Sequence, residues 1–199
     1  MNLGEQYADR LCTTHGLRVG RFSKEELRSG KTPDFRVYRA DELVFYCEAK
    51  HIQKDGWLNR QMEESQPGEL VGGLRKDPIF NRLAEHIHKS SQQFAAVNPS
   101  RKFANVLVLV NSDQICGFPD LLAVLTGNFY VEGGGAEPIY RNISEGRIRD
   151  EKKTIDLYVW FNEWKGENQE GSWFFNIGGP HYEVLCELMG SNPAEHQGV

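Results

Sequence analysis

The 199-residue chain predicts a mixed α/β fold in one domain, on three observations. Phe103 to Val110, FANVLVLV, is almost wholly apolar and rich in β-branched residues, the pattern of a central strand covered on both faces. Two stretches, 2–15 and 79–96, carry apolar residues at helical spacing. Two others, 34–50 and 154–163, alternate with the two-residue period of strands. Helix, strands, helix and strand, then a hairpin and a helix, is the order of a layered α/β domain.

The elements follow in order. Leu3, Tyr7 and Leu11 form the buried stripe of the first helix, which stops at Gly16. Residues 17–23 alternate as a strand. Ser23 with Glu26 three residues on predicts one capped helical turn. A hairpin spans 31–50. Residues 51–78 are polar and rich in Gly and Pro, with weak helical periodicity near 59–65; a long excursion of this kind is usually functional or mobile. Phe80, Leu83, Ile87 and Phe94 give the apolar side of the helix over 79–96, which Pro99 ends. Asp120 to Thr126 suits a short helix behind Pro119. Residues 132–153 read as a loop with room for a short strand. In the strand 154–163, Ile155, Leu157, Val159 and Phe161 are expected to face one way, and 171–177 is its hairpin partner. A last helix ends at Gly190, and 191–199 reads as a flexible tail.

Composition narrows the function classes. With 39% hydrophobic and 26% charged residues the chain buries a real core. A net charge of −5 excludes a basic nucleic-acid coat. Residues 18–60 run against that balance, with ten Lys or Arg against seven Asp or Glu. Four widely spaced cysteines match neither a zinc module nor a disulfide framework. The start has no secretory pattern and no apolar run reaches the length of a membrane span, so a cytoplasmic protein is expected, with no membrane partner.

The chemistry concentrates in the hairpin, KTPDFRVYRADELVFYCEAK. A three-residue loop, Ala40 to Glu42, pairs Arg39 with Leu43 and, counting back, Phe35 with Cys47 and Asp34 with Glu48. That register puts the small and apolar residues on one face and Asp34, Glu48 and Lys50 on the other; a shift by one mixes the faces. Opposed β-carbons lie about 4.5–5.5 Å apart, near enough for two carboxylates to share one metal ion. Mg²⁺ held in this way, with sites left for water and phosphate, suits phosphodiester hydrolysis. Lys50 projects from the same face to hold water or offset phosphorane charge, and the Ala49 carbonyl is a further ligand for a hard cation.

Pro33-Asp34, thirteen residues, then Glu48-Ala49-Lys50 resembles the motif of the PD-(D/E)XK nuclease superfamily. The resemblance covers residues 2–110. It implies a restriction endonuclease-like core (helix, mixed central sheet, helix) over about 2–112, with an added C-terminal β-hairpin and helix over about 113–190. It implies a Mg²⁺-dependent deoxyribonuclease, with Mn²⁺ able to substitute. DNA is the partner, and a homodimer is one arrangement many members use. Asp34 and Glu48 become metal ligands with the Ala49 carbonyl, Glu5 an auxiliary ligand, and Lys50 the group that positions water or stabilises the transition state. In the helix after the motif stand Lys89, Gln92 and Gln93. A supporting role falls to Gln93 or Gln92, and the sequence does not choose between them. No second acid follows Lys50 closely, and no subfamily motif fixes the substrate.

Blander readings stand beside these. Acid–lysine pairs on a sheet face are commonly weak cross-strand salt bridges. Glu5 also suits a solvated first-turn acid, and Gln92 and Gln93 also suit helix surface. His86 and His88, two apart, sit on different helix faces and make no chelate. His51 adjoins the motif as a lone histidine. Trp57 and Arg60 offer a stacking ring and a cation to a nucleic-acid strand, although a packed Trp is commoner. Tyr158, Trp160 and Trp173 on the late hairpin read as packing or an interface rather than base stacking. The rival from another class is an inactive nuclease-fold protein that binds nucleic acid or serves as an assembly subunit.

Overall fold

The structure, a computed structural model, describes residues 1–54, 56–72, 78–131, 133–140, 142, 145–165 and 170–196, with the backbone alone at 57–59 and 165. Its centre is a six-stranded mixed sheet in the order β1-β2-β3-β4-β7-β8. The strands are β1 (Arg18–Arg21), β2 (Phe35–Arg39), β3 (Glu42–Ile52), β4 (Ala104–Asn111), β7 (Leu157–Asn162) and β8 (Ser172–Phe175). Strands β1, β2 and β3 are antiparallel, β3, β4 and β7 run parallel, and β8 returns antiparallel on β7.

Two apolar layers sandwich the sheet. On one face Phe35, Val37, Cys47, Val106, Val108 and Val159 pack against α1 (Leu3–Thr14) and α6 (Tyr182–Leu188). On the other, Leu107, Leu109, Tyr158 and Trp160 pack against α4 (Ile79–Val97) and α5 (Phe118–Thr126). All eight residues of β4 are buried, as its largely apolar run predicts, including Asn105 and Asn111. The short helix α2 (Lys24–Ser29) carries the full capping box of Ser23 and Glu26, and α3 (Trp57–Glu64) forms in the long excursion.

The hairpin departs from the expected turn. Arg39 pairs with Glu42 across a two-residue loop, Ala40-Asp41, and Tyr38 with Leu43. Val44 is then an extra residue, a bulge between Val37 and Tyr38 on the partner strand, and beyond it Phe35 pairs with Cys47. The bulge cancels the one-residue shift of the shorter loop, because only that register buries Phe45, Cys47 and Ala49 together.

Other differences have local causes. The C-terminal half is no appendage: β7 and β8 complete the central sheet, and β7 is the parallel neighbour that covers β4. Ile155 lies in the layer opposite Leu157, Val159 and Phe161. The Asp156 carboxylate accepts from the Asn105 amide at 2.9 Å, so regular alternation starts only at Leu157. Between α5 and β7 stand a small hairpin, β5 (Asn128–Val131) with β6 (Gly135–Pro138), and 3₁₀ turns. Residues 191–196, expected in a flexible tail, dock: His196 stacks on Phe175 at 4.6 Å between ring centroids and its Nδ1 lies 2.8 Å from the Tyr182 hydroxyl. Residues 197–199 lie outside the described set. Among the described residues no helix is long and apolar enough to cross a membrane.

Candidate functional site

Pro33 leads the chain extended into β2, and Asp34 sits one residue before the first paired position, Phe35. At that step β3 has no ladder partner on the β2 side, and Asp34 supplies one with its side chain. The Ala49 amide donates to Asp34 Oδ2 at 2.9 Å, and the Asp34 amide donates to Glu48 Oε2 at 2.9 Å. Each acid is thus held by backbone of the opposite strand. The N–H and C=O of one strand residue leave by the same edge, so the Ala49 carbonyl faces the Asp34 side as well.

Lys50 closes the group from the same face of β3. Its ammonium donates to Glu48 Oε1 and, at 3.0 Å, to Gln93 Oε1. Gln93 Nε2 in turn donates to the Thr32 carbonyl at 2.8 Å. The hydrogen bonds therefore run from Asp34 through Glu48, Lys50 and Gln93 back to the residue two before Asp34. They tie α4 to the hairpin through functional groups rather than apolar contact.

Glu48 is only 2% exposed, and its carboxyl is pushed up to about 7. Burial is the main cause and the nearby Asp34 charge the second, with Lys50 pulling back. Asp34 is also raised, by burial first and then by Glu5, against the Ala49 amide and Lys50. A buried carboxyl, Glu48, and a half-buried one, Asp34, face one lysine, so the group is short of positive charge. The Asp34 and Glu48 carboxyls also lie within hydrogen-bonding reach of each other. The residues that could hold a divalent metal ion here are Asp34 and Glu48, with the Ala49 carbonyl as a further hard oxygen donor. Among the described residues no three His, Cys, Asp or Glu side chains gather to hold an ion.

The remaining candidates divide by position. Glu5 lies close enough for its charge to act on Asp34, but its carboxylate is taken by Arg21 and Asn2. That leaves it at the rim, tied to a cation of the chain. Gln92 faces away, bonded to Lys31 and to His88. Lys89 pairs with Glu85 on the exposed side of α4. His51 points to the opposite sheet face, where Nε2 lies 2.5 Å from Ser112 Oγ, which donates to Glu163. This trio lacks nucleophile geometry, since the acid holds the serine rather than the imidazole. Arg60 is exposed on α3, and the side chain of Trp57 lies outside the described set. Tyr158 and Trp160 are buried packing, and Trp173 is half-buried.

His86 belongs to this neighbourhood and went unassigned in the sequence. Its pKa is pushed down to about 4 by burial, with the charges of Lys50 and Arg82 adding to it. A neutral imidazole therefore stands beside the Lys50 ammonium. The available signal was its seven-residue spacing from Gln93, two turns along one helix face. Comparison with family models, curated proteins and solved structures finds no match to this chain.

Proposed function

We propose that the protein is a divalent-metal-dependent nuclease with a restriction endonuclease-like core, hydrolysing phosphodiester bonds of DNA. The observation that carries the reading is the reciprocal clamp of Asp34 and Glu48, both raised in pKa, with Lys50 fixed on the same face by Gln93. Burial alone does not set the Lys50–Glu48 pair apart, since Arg82–Asp113 and Arg101–Asp156 are buried to a similar degree; what supports the reading is that two acids here face one lysine.

A bound Mg²⁺, or Mn²⁺ in its place, would supply Lewis-acid polarisation of the phosphoryl oxygen and acidify water. Asp34 and Glu48 would hold it with carboxylates that need little rearrangement, because backbone amides already fix both. The Lys50 ammonium holds a proton at Nζ beside the acids and offsets the charge that grows on the phosphoryl oxygens. Gln93 orients that ammonium. With its carboxyl raised to about 7, Glu48 would hold a bound cation best once deprotonated.

The deciding experiment uses the purified chain and Glu48→Ala on linear, circular, single-stranded and branched DNA and on RNA, with Mg²⁺, Mn²⁺ or EDTA. Cleavage is expected with metal alone and only in the parent chain. Glu48→Gln, which keeps shape and removes charge, is also expected to be inactive while melting cooperatively. Cleavage that survives in EDTA or in Glu48→Ala overturns the mechanism. Binding without cleavage favours the assembly or binding role instead.

A further inference from the structure

A cavity of about 660 Å³ lies beside β8, lined by Phe118 and Leu122 of α5 and by Trp173, Phe175 and Ile177. None of its described lining residues is a lysine, an arginine or an acid. Its volume is within the range of small-molecule sites, about 300–1,000 Å³. The sheet order sets β8 three strands from β3, about 14 Å, so the cavity is separate from the carboxylate site.

Two polar side chains of the lining, Ser191 and His196, are bonded to each other. The local sequence places them. Helix α6 gives way at Gly190, whose φ of 61° is open to glycine. The Gly190 amide donates back to the Glu187 carbonyl at 3.2 Å and the Ser191 amide to the Cys186 carbonyl at 2.9 Å, the Schellman closure of a helix end. Asn192 then caps the 3₁₀ turn Pro193–Glu195, accepting from the Ala194 amide. That turn brings His196 back onto Phe175 and Tyr182.

Ser191 Oγ lies 2.8 Å from His196 Nε2, and His196 Nδ1 lies 2.8 Å from the Tyr182 hydroxyl. Cys186 Sγ approaches the same Nδ1 at 3.8 Å. The Tyr182 hydroxyl is also 3.2 Å from the Pro193 carbonyl, which can only accept. One tautomer satisfies all three contacts: Tyr182 donates to Pro193, Nδ1–H donates to Tyr182, and Ser191 donates to the bare Nε2. The other tautomer spends the Tyr182 proton on Nδ1 and leaves Pro193 without it. Ser191, His196 and Tyr182 thus stand in the order of a nucleophile, its base and the support of the base, the order that His51, Ser112 and Glu163 lack. Two further donors make no hydrogen bond among the described residues: the backbone amide of Asn192, next to Ser191, and the side-chain amide of Asn176, a lining residue.

We propose that Ser191, His196 and Tyr182 form an esterase site for carboxylic esters whose neutral, apolar acyl group lies in this cavity. Ser191 Oγ attacks the acyl carbon as its proton passes to His196 Nε2, and the Asn192 and Asn176 amides are the donors available to the oxyanion. The adduct collapses, the alcohol leaves with the proton from Nε2, and the acyl group stays on Ser191. Water then attacks the acyl carbon and gives a proton to Nε2; Ser191 Oγ takes that proton as the carboxylic acid departs. Tyr182 acts as a positioning residue for the imidazole.

The test uses the full chain in EDTA, with p-nitrophenyl butyrate as substrate and a fluorophosphonate as label. Mass spectrometry of the unaltered chain is expected to find the phosphonyl group on Ser191. Ser191→Ala and His196→Gln are each expected to lower kcat/KM about 100-fold or more. Tyr182→Phe keeps the ring and is expected to lower kcat about 10-fold with KM unchanged. Hydrolysis at the parent rate in Ser191→Ala, no label on Ser191, or no hydrolysis above that of free imidazole overturns the proposal. The labelling needs no variant, so it decides the case even where a variant folds poorly. Cleavage of DNA with Mg²⁺ is expected to be unchanged in Ser191→Ala, so this proposal and the nuclease reading fail separately.

Discussion

Gln93 decides where the Lys50 ammonium rests, and its neighbour Gln92 does not. Gln93→Leu leaves Lys50 without its second acceptor, so the charge is kept and its position lost. The expected result is a fall in DNA cleavage of about 10-fold or more, with the melting temperature little changed, while Gln92→Leu cleaves at the parent rate. Equal effects from the two would remove Gln93 from the site. His86 gives the matching test in pH. Its folded pKa of about 4 lies below the ordinary value of about 6.5. Between those values the unfolded chain takes up a proton that the folded chain refuses, so stability falls as pH drops through that window. Lys50, Arg82, Lys89 and Glu85 all act on the ring, and the three cations outweigh the one acid. Removing the ring in His86→Gln is expected to flatten this limb by roughly 1–2 kcal/mol at pH 4, read from urea melts across pH. Parallel curves for the two proteins would contradict it. The acids and lysine were legible because a two-residue period alone puts Asp34, Glu48 and Lys50 on one face. The choice between Gln92 and Gln93 was not, because the rotation of α4 against the sheet depends on Leu83, Ile87 and Phe94 finding their places in the far layer.

At the scale of the element, the hairpin shows which constraint governs a strand pair. The loop is one residue shorter than the spacing predicts, yet Phe35 still meets Cys47, because burial of alternate residues fixes register more firmly than turn geometry does. The bulge at Val44 absorbs the mismatch where β2 and β3 approach the turn, far from Asp34. Part of the cost sits at Ala40, whose φ of 54° is in the left-handed region that disfavours a β-carbon. Ala40→Gly relieves that strain against a larger loss of chain entropy, with an expected gain of about 0.5–1 kcal/mol. Ala95→Gly, on the exposed face of α4, is expected to lose about 1 kcal/mol instead. Chemical melts of the two variants against the parent chain read both signs. Cleavage by Ala40→Gly should stay at the parent level, since the bulge separates the turn from the acids.

For the whole molecule, the question is whether the first half, which carries every residue of the carboxylate site, is a folding unit. The apolar run Phe103 to Val110 announced a strand covered on both faces, but not its neighbours. Parallel pairing of β4 with β7 joins residues about fifty apart, and nothing local in TIDLYVWFN distinguishes a sheet centre from an appended hairpin. The pairing makes the C-terminal half necessary. Without β7, the open edge of β4 exposes the backbone of eight buried residues, and Val106, Val108 and Val110 lose Leu157, Val159 and Phe161 beside them. The other layer loses α5, Tyr158 and Trp160. Arg101 loses Asp156, the buried acid that the start of β4 holds through the Asn105 amide. A fragment of residues 1–112 is therefore expected to lack a cooperative thermal transition and to aggregate through β4, while mixing it with Mg²⁺ restores no cleavage. Near-ultraviolet circular dichroism and heat-melting of the fragment beside the full chain make the comparison. A fragment that melts sharply and cleaves DNA would mean that the sheet closes at β4 and that β7 and β8 are dispensable after all.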